Sequence, residues 1–286
     1  MAVATLTFAD RIATEVERKR SQLVVGLDPR PEHLPVELGG DVARFCCGIV
    51  DAVAPHAVAV KPQLAFFETL GAAGMAAFAE VCEYAHRAGL LVIADGKRGD
   101  IGSTARAYSA AYLEGEEPVA DALTVNPYLG RESIEPYLAA ARRDGAGIFC
   151  IVKTSNAGGD VQDVTLSDGR PLWHHVATLV NDWGAEVVGE RGLSSVGAVV
   201  GATYPRAVAE ARKLMPRTML LLPGIGAQGA GPAELARAFT SGPASALVNA
   251  ARSVIYAYRE SGEDYKTAAG AEAARLRDEI WAVSGW

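Results

Sequence analysis

The sequence predicts a single (β/α)8 TIM barrel, and three observations carry that reading. Eight short runs rich in Val, Ile and Leu recur along the 286 residues, at 23–28, 57–62, 90–95, 121–126, 147–153, 196–202, 218–222 and 245–249. Each run is almost continuously apolar, the pattern of a strand buried on both faces in a parallel sheet covered by helices. The intervening stretches are Ala-rich with helical spacing, and α/β barrels of this length commonly form one unit.

Taken in order, a segment from about Phe8 to Arg20 reads as a helix ahead of the first strand, Leu23-Val-Val-Gly-Leu27, which delivers Asp28. The second run, Ala57-Val-Ala-Val60, delivers Lys61, and Gly71 to Arg87 has helical periodicity. The third, Leu90-Leu-Val-Ile-Ala94, runs into Asp95-Gly-Lys97-Arg-Gly-Asp100. The fourth ends at Asn126, the fifth at Thr154 and Ser155, and the sixth at Thr203, before a helical stretch from Pro205. After the fifth strand, Asn156 to Trp173 holds Gly158-Gly159, Asp168-Gly169 and Pro171, and reads as a long loop. The seventh strand leads into Pro223-Gly-Ile-Gly-Ala-Gln228-Gly229, and the eighth into Asn249-Ala-Ala251-Arg252-Ser253. A helix over about 264–283 closes the chain. With no linker or composition break, 1–286 is expected to be one domain.

Composition narrows the function. Half of the residues are hydrophobic and 21% are charged, as in an ordinary globular core. A net charge of −7, without a basic stretch studded with aromatics, speaks against nucleic acid as a partner, so any anionic ligand needs a local grip. The four cysteines, at 46, 47, 82 and 150, lie in apolar surroundings without metal-ligand spacing and are read as reduced core residues. The N-terminal segment lacks a secretory pattern, and no apolar run is long enough for a membrane span, so a cytoplasmic protein is expected.

Barrel active sites lie at the C-terminal strand ends, where Asp28, Lys61, Asp95, Lys97, Asn126, Thr154, Ser155 and Thr203 all fall. Side chains two apart on a strand share a face, so Asp95 and Lys97 are expected side by side, with Asp100 on the loop beyond. Asp and Lys at this spacing commonly form a surface ion pair of little consequence. Three strand ends that each deliver a charge depart from that pattern. The Gly-rich loop after the seventh strand and Arg252 after the eighth match the phosphate grip of barrels: glycines admit the ligand to the backbone and the guanidinium offers a planar fork. No zinc ligand set, Ser-His-Asp arrangement or dinucleotide fingerprint accompanies them, so the chemistry is expected to run on side chains, without metal or cofactor.

Six segments together resemble the orotidine 5'-phosphate decarboxylase family, in particular its longer bacterial form, the type 2 subfamily. They are Gly26-Leu-Asp28-Pro29, Val60-Lys61-Pro-Gln63, Asp95-Gly-Lys97-Arg-Gly-Asp100-Ile101 with Thr104, Val152-Lys-Thr-Ser-Asn156, Val200-Gly-Ala-Thr203 and Leu222-Pro223-Gly-Ile-Gly-Ala-Gln228-Gly229. The resemblance implies decarboxylation of orotidine 5'-phosphate to uridine 5'-phosphate in pyrimidine synthesis, with Lys97 giving the proton to C6. It implies a charge network of Lys61, Asp95, Lys97 and Asp100, in a homodimer whose Asp100, Ile101 and Thr104 enter the neighbouring site. Asp28 is then expected at a ribose hydroxyl, Ser155 (with Thr154 as the alternative) at the base, and Pro223, Gln228, Ala251 and Arg252 around the phosphate. The family often has glycine where Ala251 stands, and a methyl with an intact N–H keeps the grip. Three alternatives stay open on the residues alone: a magnesium-dependent barrel acting on sugar phosphates, a Schiff-base aldolase using Lys61, Lys97 or Lys153, and a nucleotide sensor.

Overall fold

The computed structural model describes residues 6–224 and 232–286. Eight parallel strands close into a barrel in sequence order, β1 (Leu23–Leu27), β2 (Ala59–Pro62), β3 (Leu91–Arg98), β4 (Ala122–Val125), β5 (Gly147–Lys153), β6 (Ser194–Val200), β7 (Thr218–Pro223) and β8 (Ala246–Ala250), with β8 returning to β1. The principal helices are α1 (Phe8–Lys19), α2 (Val42–Val53), α3 (Leu64–Glu68), α4 (Gly71–Arg87), α5 (Gly102–Leu113), α6 (Arg131–Asp144), α7 (Leu172–Gly184), α8 (Pro205–Leu214), α9 (Arg252–Ile255), α10 (Tyr258–Ser261) and α11 (Tyr265–Ser284). The (β/α)8 barrel expected from the eight apolar runs is the observed fold.

Strand alternation sorts the core into two compartments. Leu23, Val25, Leu27, Val60, Val92, Ala94, Leu123, Ile148, Cys150, Leu220 and Val248 pack outward against the helices. Val24, Ala59, Leu91, Ile93, Ala122, Phe149, Met219, Leu221 and Leu247 fill the barrel and meet Phe8, Ile12 and Val16 of α1, which plugs its N-terminal end. Phe8 and Phe149 contact edge to face at 5.9 Å. The same alternation, carried one step further, puts polar residues at the top of the barrel: Gly26 to Asp28, Ala59 to Lys61 to Gln63, Ile93 to Asp95, Ala122 to Thr124, and Leu247 to Asn249. The apolar floor and the polar mouth therefore belong to the same strands.

α1 is fixed in place by charge as well as by packing. Thr7 caps it by accepting from the Asp10 N–H at 3.1 Å and donating to Asp10 Oδ2 at 2.7 Å. Arg11 pairs with Asp121 at the start of the fourth strand, and that carboxylate also accepts from the Val92 N–H at 2.7 Å. At the other end of the chain, α11 is capped by Asp264 and packs on α2, where Gly270 allows approach to the Ala52 carbonyl. Cys46, Cys82 and Cys150 are buried and all four thiols are free. Among the described residues no helix is long and apolar enough to cross a membrane.

The segment read as a long loop after the fifth strand is more ordered than that. Ala157–Asp163 forms 3-10 turns, Thr165 bridges Pro171, and α7 begins at Leu172.

Candidate active site

Asp95 is the hub of the mouth. Its Oδ2 accepts from Lys61 Nζ at 2.5 Å and from Gln63 Nε2 at 3.0 Å, and its Oδ1 accepts from Lys97 Nζ at 2.6 Å and from Thr124 Oγ1 at 2.9 Å. Four donors match the roughly four lone-pair sites of a carboxylate. Burial pushes this carboxyl up, but the Lys61 and Lys97 ammoniums outweigh it and hold Asp95 well below the usual carboxylate range. Asp95 is thus a fixed anion with four donors arranged around it.

The two lysines are not equivalent. The Lys61 side chain is 7% exposed, whereas that of Lys97 is 47% exposed, so only Lys97 joins the buried carboxylate to the open mouth. Alternation predicts that Asp95 and Lys97 share a face, but the strand is not regular between them. Ala94 pairs with Leu123 and Arg98 with Val125, leaving two extra residues on β3, and Lys97 takes a left-handed φ of 45°. A left-handed non-glycine residue costs on the order of 1–3 kcal/mol and persists where its surroundings fix it. The surroundings here are specific. The Lys97 N–H donates to Thr124 Oγ1 at 2.9 Å, a Cβ on Gly96 would meet Leu64 Cδ1 at 2.6 Å, and the Asn126 N–H donates to the Arg98 carbonyl at 2.8 Å. Arg98 itself pairs with Glu68, donates to the Tyr112 hydroxyl at 3.2 Å and lies over the Tyr108 ring. A bulge, rather than strand alternation, turns Lys97 onto Asp95.

Asp28 stands differently. Its Oδ1 is buried and has no hydrogen-bond partner among the described residues, while its carbonyl accepts from the Tyr256 hydroxyl at 3.0 Å, an oxygen that also accepts from the Arg30 N–H at 2.8 Å. Burial, reinforced by the Asp95 charge, raises this carboxyl against the opposing pull of Lys61, Arg252 and Lys97. The signs of the two aspartates are therefore opposite. Asp95, depressed in the fold, contributes stability that is complete above its ordinary value of 3.8 and is lost as the pH falls through the folded value. Asp28, raised in the fold, costs stability when ionised at neutral pH, and that cost disappears as the pH falls through its folded value. Asp28→Asn is accordingly expected to raise Tm at pH 7, with the gain shrinking on acidification. Thermal melts across pH check this, and a lowered Tm at pH 7 contradicts the sign.

At the β7–β8 side, Pro223 ends its strand and Gly224 has φ 109°, while Gln228 lies outside the described residues. Arg252 opens α9 and is exposed, and its guanidinium makes no hydrogen bond or ion pair among the described residues. Ala251 packs on β1: a Cβ at Gly26 would lie 2.6 Å from the Ala251 methyl, so glycine at 26 makes room for alanine at 251. Asn249 Oδ1 and Ser253 Oγ are buried there without a hydrogen-bond partner among the described residues.

The remaining expected residues divide. Thr154 is clasped by Gln162, its N–H donating to Oε1 and its Oγ1 accepting from Nε2, both at 2.8 Å. Ser155 follows it and packs on Gly201, where a Cβ would come within 2.8 Å of the serine Cβ. Lys153 Nζ is buried against Asp163 at 2.7 Å, a pair unlike the neutral amine that a Schiff base needs. Asn126 accepts from the Tyr128 N–H at 3.0 Å, a turn-capping role. Asp100 does not join the Lys61–Asp95–Lys97 cluster of its own chain; its Oδ1 accepts from the Ile101 N–H at 2.8 Å, with Ile101 and Thr104 exposed on the same rim. Gln63 and Thr124 are additions that sequence reasoning missed, although both occupy inward positions on strands whose neighbours were identified.

Comparison with known proteins bears on the family and the fold. Residues 21–267 match the model of the orotidine 5'-phosphate decarboxylase / HUMPS family. An orotidine 5'-phosphate decarboxylase of Rhodopirellula baltica is 46% identical over 282 residues, covering 92% of each chain, and one of Deinococcus radiodurans is 46% identical over 278 residues, covering 96% of this chain and 97% of the relative. The structure of Leishmania donovani OMP decarboxylase superposes with a TM-score of 0.78 at 32% identity, covering 98% of this chain and all of that one. Family model, relatives and fold agree over nearly the whole length, and this chain belongs to the orotidine 5'-phosphate decarboxylase / HUMPS family.

Proposed function

We propose that this protein decarboxylates orotidine 5'-phosphate to uridine 5'-phosphate in pyrimidine synthesis, in the cytoplasm, without metal or cofactor. The observation that carries the reading is the Lys97 ammonium, held 2.6 Å from a fully coordinated carboxylate yet open to the mouth. Loss of carbon dioxide breaks the bond to C6 and leaves the electron pair in an in-plane sp2 orbital that the ring cannot delocalise. A site working on side chains must supply a fixed positive charge where that pair develops, and then a proton. Lys97 does both: its Nζ faces C6, transfers a proton there and is reprotonated from solvent. Asp95 fixes the direction of that ammonium, and its charge beside the substrate carboxylate disfavours the ground state, an effect secondary to preorganised charge.

Binding is assigned to the groups around this centre. The unpartnered Asp28 Oδ1 accepts from a ribose hydroxyl, Ser155 contacts the base, and Arg252 holds the phosphate with Gln228 and the backbone near Pro223 and Ala251. Asp100, Ile101 and Thr104 of one protomer complete the site of the other in a two-fold homodimer, a reading supported by Asp100 making no hydrogen bond or ion pair with its own chain's cluster among the described residues and by the exposure of Ile101 and Thr104.

Two measurements test this. Purified protein is expected to convert orotidine 5'-phosphate to uridine 5'-phosphate and carbon dioxide at an undiminished rate after treatment with a chelator; a rate that collapses and returns with magnesium favours the sugar-phosphate type of barrel chemistry. Mixing inactive Lys97→Ala and Asp100→Ala chains under subunit exchange is expected to restore about a quarter of wild-type activity, because half of randomly paired dimers carry one intact site. No recovery despite demonstrated exchange contradicts site sharing.

A further inference from the structure

Between Ala94 and Arg98 the backbone ladder joining β3 to β4 is interrupted, and a side chain takes the place of the missing rung. Thr124 lies opposite the interruption. Its flanking residues stay in register on both sides, Leu123 with Ala94 and Ile148, and Val125 with Arg98 and Cys150. Its hydroxyl donates to Asp95 Oδ1 at 2.9 Å and accepts from the Lys97 N–H at 2.9 Å. Among the described residues, Thr124 alone makes hydrogen bonds to both of these groups. The direction of the relay is fixed by chemistry: an ionised carboxylate only accepts and a backbone N–H only donates, so the single hydroxyl proton points to Asp95 and a lone pair faces Lys97. The residue is 1% exposed and β-branched, which restricts its rotation about χ1.

We propose that Thr124 is a positioning residue for the decarboxylation. Its hydroxyl locks the left-handed turn that presents Lys97 to the carboxylate that aims it. The inference rests on the reaction assigned above. Thr124 does not reach the reacting carbon itself; it acts through the geometry of Asp95 and Lys97. Valine keeps the shape of threonine and removes both hydrogen bonds, while serine keeps the hydroxyl.

Thr124→Val is expected to lower kcat on the order of 10²-fold, as for a catalytic group displaced by about an ångström. KM and the affinity for uridine 5'-phosphate are expected to stay within a few-fold of wild type, and Thr124→Ser to recover activity to within about tenfold. A second readout needs no turnover: acylation of Lys97 by a water-soluble succinimidyl ester, followed by peptide mass spectrometry, is expected to proceed several-fold faster in Thr124→Val than in wild type or Thr124→Ser. Unchanged kcat in the valine variant, equal losses in the valine and serine variants, or Lys97 acylation that ignores the substitution each overturn the proposal. Failure of the wild-type protein to decarboxylate the substrate overturns the assigned reaction, and the acylation experiment then still decides whether Thr124 holds Lys97.

Discussion

Lys97→Ala is expected to lower kcat by at least about 10⁴-fold while uridine 5'-phosphate still binds. Two separable losses combine in that figure. A fixed charge aimed at developing negative charge contributes on the order of 10²–10³, and a positioned proton donor on the order of 10²–10⁴. Neither is replaced by its neighbours, because Lys61 is committed to the opposite oxygen of Asp95 and its side chain is buried. The fold should tolerate the change: Asp95 keeps Lys61, Gln63 and Thr124 as partners. Product affinity should move much less than turnover, since the groups assigned to ribose, base and phosphate are untouched. Single-turnover kinetics beside calorimetric titration with uridine 5'-phosphate separate the two effects. Near-normal turnover removes the role given to Lys97, and equal losses in binding and turnover make it a substrate anchor instead.

Much of this site is legible in the sequence because strand alternation continues past the apolar core. Once Val24, Ala59 and Ile93 are known to face inward, Asp28, Lys61 and Asp95 follow at inward positions. Gln63 and Thr124 obey the same rule and are found only by applying it without regard to residue type. Thr124 is concealed by its chemistry, since threonine in Ala122-Leu-Thr-Val125 is also what strand propensity favours. The geometry of Lys97 is a different case. Its left-handed backbone and the two-residue bulge arise from the register of β3 against β4, a tertiary fact that no local pattern encodes. The same holds for Gly26, whose need for glycine comes from Ala251 across the barrel seam. Sequence spacing alone thus joins Asp95 to Lys97 for an incomplete reason, and the strain that aims the ammonium is visible only in the folded chain.

Arg252→Ala is expected to reduce kcat/KM for orotidine 5'-phosphate by about 10²–10³-fold, the worth of a charged, forked contact of roughly 3–4 kcal/mol. Its setting supports a ligand role over a structural one. The guanidinium is exposed and without a hydrogen bond or ion pair among the described residues, so its removal strands no partner inside the protein. The phosphate lies remote from the breaking bond, and under the proposed assignment its binding energy serves catalysis by holding the ring against Lys97 and excluding water. A loss confined to KM means that the arginine binds ground state and transition state alike, whereas a loss shared with kcat means that phosphate binding is used to organise the site. The decisive comparison uses orotidine, which lacks the phosphate. Wild type and Arg252→Ala should then show nearly equal kcat/KM, because a cycle that deletes either the arginine or the phosphate isolates the energy of their pairing. If the substitution harms both substrates alike, Arg252 acts through Asp28, whose carboxyl its charge pulls downward, and the phosphate is held by the β7 loop instead.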